Sequence, residues 1–265
     1  MARATSTGMR ILIGAGSSAD AVAALRLIEG LPDIFRASLG GIFVEEPHTL
    51  ETSRFPNRRV VTNSGMTMLA PDPTQIRTIL QAEARAFRQA LDRAKGQTTA
   101  ESPFLRQQGE LISTAIHAAK GWDVLVIGCR PLHRIRGHIV ALNGAGGQSE
   151  QLRIVSESLS ERFSTDCLSF AIGLDGGTGA PPPTPQRLRF ETLDTAISAL
   201  ARTNALAVLV DLNAGPIQTQ ADLARVLDAS RCPLVVIGAS KAIAKLEHST
   251  QIPTPPSDSR RGDDP

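Results

Sequence analysis

The hydrophobic positions of residues 109–128 follow a helix period and then a strand pattern. The apolar positions of the helical part recur at three- and four-residue spacing: Ile112, Ala115, Ile116 and Ala119. Gly121 marks the helix end, because glycine adopts the left-handed conformation found there without a Cβ clash. The run 124–127 is apolar without alternation, which is typical of a strand buried on both faces of a parallel sheet. Gly128 then lies at the strand end, where open α/β sheets bind ligands.

Two longer segments repeat one another along the chain. Residues 10–44 align with residues 138–172 without a gap, so that Ile11 aligns with Ile139 and Phe35 with Phe163. Each segment has an apolar strand, a Gly-rich turn, a helical pattern and a second apolar strand. The helix and buried strand of 109–128 also recur, at 192–211. The repetition predicts two copies of one α/β unit.

The remaining patterns predict further elements. Strands are expected at 10–13, 39–44, 98–105, 138–142, 167–172, 188–190, 207–210 and 234–237. Helices are expected at 19–29, 74–95 with Thr74 as N-cap, 149–163 and 219–229. The segment 45–73 shows no periodicity, and a loop of this length is either functional or mobile.

Composition disfavours nucleic-acid, membrane and zinc binding. The 265 residues are 42% apolar and 20% charged, with net charge +2, one Trp and no Tyr. The small net charge gives no argument for nucleic acid or a membrane, and the scarcity of Trp and Tyr disfavours a stacking platform for single strands. Cys129, Cys167 and Cys232 form no C-x-x-C pair. Their spacing disfavours zinc and indicates buried thiols in a reducing cytosol.

The N-terminal residues and the lengths of the apolar runs bear on where the protein is located. Residues 1–8 lack the apolar region of a secretory signal. No apolar run reaches the ~18 residues that a membrane span requires. We therefore predict a cytoplasmic protein with disordered tails at 1–8 and 250–265, since these contain almost nothing to bury.

Three segments together resemble the universal stress protein family in tandem form. The strand at 11–13, with its Gly/Ser turn and helix, is similar to the family's opening. Gly109-Glu110, with the strand region 122–128, resembles the family's most recognisable segment, and 229–236 resembles its closing strand.

The resemblance covers about residues 9–238, apart from the 45–73 loop, and implies an α/β fold class. Each copy is expected to form a Rossmann-like, adenine-nucleotide-hydrolase-like parallel sheet of order 3-2-1-4-5, flanked by helices, in a tandem pseudo-dimer. The copies are placed at 9–130 and 137–240. The first copy has no room for the last helix and strand, and the second lacks the long second helix. Whether the copies complete one another stays open.

The nucleotide-binding members of this family use an acidic residue after strand one and a Gly-x-x-Gly after strand four. The acidic position holds Ala15 or Gly16 in the first copy and Asn143 in the second. After strand four, residues 128–131 read GCRP and residues 211–216 read DLNAGP. Proline removes a backbone donor that a phosphate needs. The resemblance therefore predicts degenerate nucleotide sites, with an ATP- or AMP-binding protein or slow ATPase as the alternative.

A dinucleotide motif overlaps the first turn. Residues 14–19 read GAGSSA, which fits G-x-G-x-x-A between a strand and a helix, with Glu45 as the ribose acid. A redox enzyme using Gly14-Ala15-Gly16 is thus a second alternative. The same glycines also fit a plain βα turn whose serine caps the helix.

The connector between the copies, at the end of strand four, is basic. Its residues of this kind are Arg130, His133, Arg134, Arg136 and His138. It is either a solvated linker or a site for phosphate or an acidic partner. No Ser/His/Asp or Cys/His set is supported by spacing, so no catalytic or metal-binding residue is predicted. The candidate ligand- or anion-binding residues are Gly14, Gly16, Ser17, Ser18, Gly128, Arg130, His133, Arg134 and Asn143.

These observations predict a non-catalytic, cytoplasmic stress-response or regulatory protein with two degenerate copies of the fold. No cofactor is expected, with ATP as the alternative. Strand 234–237 is the single closing strand, and an open apolar edge pairs readily with another chain. We therefore expect a homodimer, or coverage of that edge by the first copy's incomplete side, and a protein partner that the sequence does not identify.

Overall fold

The computed structural model describes most of the region in which the repeats were found. The described residues are 9–29, 38–47, 59–61, 65–69, 71–95, 102–129, 137–144, 146–173 and 187–239. The two predicted tails and residues 130–136 of the connector lie outside them.

The described ranges contain eleven strands and six helices. The strands are β1 (Arg10–Ala15), β2 (Ser38–Glu45), β3 (Arg59–Val61), β4 (Thr67–Leu69), β5 (Phe104–Gln108), β6 (Val124–Ile127), β7 (His138–Asn143), β8 (Cys167–Ile172), β9 (Arg187–Phe190), β10 (Ala205–Asp211) and β11 (Leu234–Ile237). The helices are α1 (Ser18–Ile28), α2 (Pro73–Ala94), α3 (Leu111–Ala118), α4 (Glu150–Phe163), α5 (Leu193–Leu200) and α6 (Gln220–Ser230). None of these helices is long and apolar enough to cross a membrane.

Nine strands form one sheet, in the order β5-β2-β1-β6-β11-β10-β7-β8-β9. The first four belong to the first copy, and every pair among them is parallel. The other five belong to the second copy, are again all parallel, and read 3-2-1-4-5 from the opposite edge. The predicted Rossmann-like α/β class and tandem pseudo-dimer are confirmed.

The two parallel units meet edge to edge through one antiparallel pair. β6 lies beside β11, with Val126 opposite Val235 and Leu125 opposite Val236, and all four side chains are buried. The two predicted sheets are therefore halves of one continuous sheet. The first copy has no fifth strand among its described residues, and the second copy's closing strand takes that place. Of the two expectations for this edge, the structure shows coverage within the chain.

The core lies in two layers, one on each face of the sheet. Helices α1, α2 and α4 cover one face, where Ile11, Phe43 and Phe87 are fully buried. Helices α3, α5 and α6 cover the other face, where Leu125 and Phe170 are fully buried. Every strand pattern that reads as continuously apolar is thus buried on both sides.

The segment 45–73 contains structure that its sequence pattern does not reveal. β3 and β4 form a short antiparallel hairpin, with Val60 opposite Met68. Two apolar side chains of this region, Met66 and Leu69, are 68% and 64% exposed. Exposed apolar side chains such as these do not follow the periodicity that marks a core strand.

Two predicted boundaries are wrong by a few residues. The long helix begins after Asp72, not Thr74, because the Asp72 carboxylate accepts from the Thr74 and Gln75 amides in a capping box. Pro73 supports this start, since proline suits the first helical turn. Of the strand predicted at 98–105, residues 98–101 lie outside the described residues, and the described strand runs over 104–108. Pro103 precedes it and offers only its carbonyl, which accepts from the Gly41 amide at 2.9 Å.

Candidate functional site

The carboxyl edge of the first copy brings together most of the predicted site residues. β1 ends at Ala15, α1 begins at Ser18, and the Gly128 amide donates to the Gly14 carbonyl at 2.7 Å. Gly14, Gly16, Ser17, Ser18 and Gly128 therefore share one region. Asn143 lies elsewhere, at the end of β7 in the second copy. The predicted residues Arg130, His133 and Arg134 lie outside the described part of the chain.

Two of these glycines are required by packing. A Cβ at Gly128 would lie 2.5 Å from the Asp20 carbonyl oxygen, in the first turn of α1. A Cβ at Gly14 would lie 2.8 Å from the Ala115 Cβ in α3. Both distances are shorter than real contacts allow, so these glycines let the strand ends approach the helices. Gly16 differs, because its nearest neighbour would be an ordinary 3.7 Å away.

The N-terminus of α1 is occupied by the chain's own groups. Ser17 caps the helix, accepting from the Asp20 amide at 3.1 Å and donating to the Asp20 carboxylate at 2.6 Å. The Ser18 amide donates to Glu83 Oε2, from α2, at 2.6 Å. A helix N-terminus attracts anions through its unpaired amides and its dipole. In this chain the Glu83 carboxylate supplies the anion.

Glu83 was missed by sequence reasoning. In the sequence it is one polar position in a helix whose apolar face includes Ala84 and Phe87. Only the packing of α2 beside α1 reveals that its carboxylate reaches the Ser18 amide. No local pattern could have indicated this.

Glu45, the predicted ribose acid of the dinucleotide alternative, also has a partner. It ends β2, and its carboxylate forms an ion pair with the Arg106 guanidinium on the neighbouring strand β5. A ribose hydroxyl would have to compete with this charged contact.

The second copy's loop after β10 uses its backbone donors internally. The Asp211 carboxylate is 3% exposed and accepts from the Asn213 amide at 2.8 Å and from its side chain at 3.0 Å. The Leu212 amide donates to the Ile237 carbonyl, and the Gly215 amide donates to the Asp211 carbonyl at 2.6 Å. Pro216 has no amide hydrogen. Little of this loop's backbone therefore remains to cradle a phosphate.

Asn143 stands where the resemblance places an acidic residue. Its side chain is almost completely buried at 2% exposure, and Nδ2 donates to Ser169 Oγ at 2.8 Å and to the Ala141 carbonyl at 3.3 Å. Its Oδ1 has no hydrogen-bond partner within the part of the chain that the structure describes. Asn143 is thus directed toward β8.

The cysteines are held as neutral thiols. Burial raises the pKa of Cys129 to about 11, with smaller contributions from the Asp20 and Asp228 carboxylates. Burial likewise raises the pKa of Cys232 to about 12 and also raises that of Cys167. A nucleophilic cysteine needs the thiolate, so none of the three is activated at neutral pH. Among the described residues, no cluster of three or more His, Cys, Asp or Glu side chains could hold a metal ion.

Comparison with known proteins yields similarity in structure only. No family model matches the sequence, and no curated protein sequence matches it. A universal stress protein from Archaeoglobus fulgidus DSM 4304 is similar over 87% of this chain and 97% of its own, with 9% identity and a TM-score of 0.47. A functionally unknown protein from Pseudomonas aeruginosa PAO1 is similar over 92% and 98%, with 11% identity and a TM-score of 0.45.

A candidate universal stress protein from Pseudomonas aeruginosa UCBPP-PA14 is similar over 92% of this chain and 98% of its own, with 10% identity and a TM-score of 0.43. Two of these three structures are described as universal stress proteins, the family that the sequence resembles.

Proposed function

We propose that this chain is a non-catalytic, cytoplasmic regulatory protein of the universal stress protein type, in which both nucleotide sites are degenerate. One observation supports this proposal above others. At the strand ends of both copies, groups of the chain itself satisfy amides that a bound phosphate would otherwise use. The copies correspond to residues 9–130 and 137–240.

In the first copy, charge repulsion disfavours a bound phosphate in addition to the loss of amide donors. A triphosphate needs several convergent amides or a free helix N-terminus, together with a cation. The Glu83 carboxylate already accepts from the Ser18 amide, and a phosphate placed there would meet a like charge a few ångströms away. Gly128, in the predicted phosphate loop, packs against the backbone of α1.

In the second copy, the loop after β10 folds back on itself. The amides of Leu212, Asn213 and Gly215 donate to acceptors within the chain. Asp211 adds a buried carboxylate beside them. Phosphate binding would require this loop to give up several hydrogen bonds.

The two alternatives lack comparable support. An ATP- or AMP-binding protein or slow ATPase would have to displace Glu83 or reopen the loop after β10. A dinucleotide enzyme would have to free Glu45 from Arg106. Both alternatives serve as outcomes of the test below.

A thermal-shift screen of the full chain separates the three functions. A ligand that binds only the folded state raises the melting temperature by mass action. We expect ATP with Mg²⁺, AMP, NAD⁺ and NADPH to leave the melting temperature unchanged. A saturable rise with ATP, accompanied by phosphate release, would favour the ATPase instead, and a rise with a nicotinamide cofactor would favour the redox enzyme.

A further inference from the structure

A polar surface lies on the α4 side of β8 and β9 in the second copy. The side chains of Phe170 and Phe190 enter the core beneath α5, so the alternate residues of β8 and β9 face the α4 side. In register, Arg189 lies opposite Ala171, which lies opposite Asn143. The adjacent row likewise places Arg187 opposite Ser169 and Ser169 opposite Ala141.

Several polar atoms of this surface are shielded from solvent and unpaired. They include Nε of Arg187 and both Nε and Nη2 of Arg189, none of which has a hydrogen-bond partner within the described ranges. The buried Oδ1 of Asn143 also has no partner among the described residues, while Nδ2 of the same side chain donates to Ser169 Oγ. Shielded polar groups are normally satisfied. Three donors and one acceptor on one surface therefore point to a ligand.

The first copy shows how the same surface is filled when a helix covers it. The gap-free repeat places Gly41 where the second copy has Ser169, and β5 pairs with it through Phe104 as β9 pairs with Ser169 through Arg187. A Cβ at Gly41 would lie 3.1–3.2 Å from Phe87 and Leu91 of α2 and from Phe104. Apolar packing closes this face in the first copy.

The arginines of the two copies also differ in their partners. Arg106 of β5 occupies the position that Arg189 occupies in β9, and it is paired with Glu45. One residue beyond the gap-free repeat, Glu45 aligns with Gly173, which has no side chain to offer a carboxylate. Among the described residues, the second copy therefore keeps the guanidinium but has no carboxylate at the position of Glu45.

We propose that Arg187 and Arg189, with Ser169 and Asn143, form a binding site for a small molecule that carries an oxyanion and a hydroxyl group. The guanidinium donors bind the oxyanion, since their fork matches carboxylate and phosphate oxygens. The Asn143 Oδ1 accepts from the hydroxyl group. In register, Arg189 and Asn143 lie on either side of Ala171, two strand spacings or about 10 Å apart. Ala171 and Asn143 are only 1% and 2% exposed, so a ligand held here would be enclosed by the protein.

This site differs from the degenerate phosphate loops and adds a ligand class to the proposed regulatory role. Calorimetric titration of the full chain at low ionic strength tests it, because salt screens charge attraction. The probes are inorganic phosphate, glycerol phosphate and glycerate, with neutral glycerol as the blank. We expect saturable binding of at least one anion and none of glycerol. Binding of the phosphates alone, or of glycerate alone, supports the site and identifies its oxyanion.

Matched variants separate this site from general charge attraction. Arg189→Gln should weaken anion binding about tenfold or more, whereas Arg106→Gln removes the same charge from a paired guanidinium and should change it less than about twofold. Ser169→Asp should place a carboxylate opposite Arg187, which would abolish anion binding while raising the melting temperature. Equal losses in the two arginine variants, binding that persists in Ser169→Asp, or no saturable anion binding would each overturn the proposal.

Discussion

At the scale of single residues, the glycines of the predicted phosphate loop are explained by packing. Gly128→Ala should lower the free energy of unfolding by about 1–3 kcal/mol, because its Cβ would meet the backbone of α1 at 2.5 Å. Gly146→Ala is the matched control, since a Cβ there meets nothing within 4 Å. Urea denaturation of both variants measures the difference. Equal stabilities would mean that Gly128 has room for a side chain.

Glu83 is the residue whose removal most directly probes the occupied helix N-terminus. Glu83→Gln should lower the free energy of unfolding by about 1–2 kcal/mol, because the Ser18 amide loses a charged acceptor. Asp92→Asn, at an exposed position of the same helix, should change it by less than about 0.5 kcal/mol. A Glu83 variant as stable as the Asp92 variant would contradict the contact.

The buried Cys129 thiol is expected to make the free energy of unfolding fall with pH in the alkaline range. Burial raises the pKa of Cys129 from 9.0 to about 11, so the unfolded chain loses this proton at lower pH than the folded chain. The resulting stabilisation is fully present below about pH 9 and is lost as the pH rises through the folded value. From about pH 8 to about pH 10.5, the wild type should therefore lose more unfolding free energy than Cys129→Ala. Parallel losses in both proteins would exclude a Cys129 contribution.

Sequence patterns predicted the roles of some of these residues and not of others. The Ser17 cap and the left-handed Gly121, at φ +86°, follow from local rules that act within a few residues. Glu83 is 65 positions from Ser18 along the chain, and the Arg189 donors stand out only beside the paired Arg106. Such contacts depend on tertiary packing, which no local pattern specifies.

At the scale of elements, the buried strands were predictable because burial on both faces leaves a continuous apolar run. β6 and β11 were placed within their observed bounds for that reason. The hairpin of β3 and β4 was not predicted, since it carries exposed apolar side chains such as Leu69. The end of β5 was misplaced because four of its five residues are exposed.

The strand β6 should be the element least tolerant of charge. Val126→Asp should unfold the protein, because Val126 is fully buried between β1 and β11 and an unpaired buried charge costs several kcal/mol, comparable with the stability of a domain. Leu105→Asp, on the edge strand β5 at 46% exposure, should remain folded. Circular dichroism and thermal melting compare the two. A cooperatively melting Val126→Asp protein would show that this strand is not in the core.

At the scale of the whole molecule, the repeat predicted two copies but not how they join. The gap-free match of 10–44 to 138–172 indicated the parallel order within each copy. The antiparallel pairing of β6 with β11 was one of two open outcomes, since either apolar edge could equally have met a second chain. Local patterns therefore predict the strands, whereas the pairing of one strand with another depends on the packing of the whole sheet.

For the molecule as a whole, we propose that the chain's own groups occupy the places where ATP would bind. Isothermal titration calorimetry with ATP and Mg²⁺ tests this most directly, with the full chain in the cell. We expect only the heat of dilution, because Glu83 accepts from the Ser18 amide and the loop after β10 satisfies its own donors. Saturable micromolar binding of one or two ATP molecules per chain that persists in Arg189→Gln would contradict this expectation.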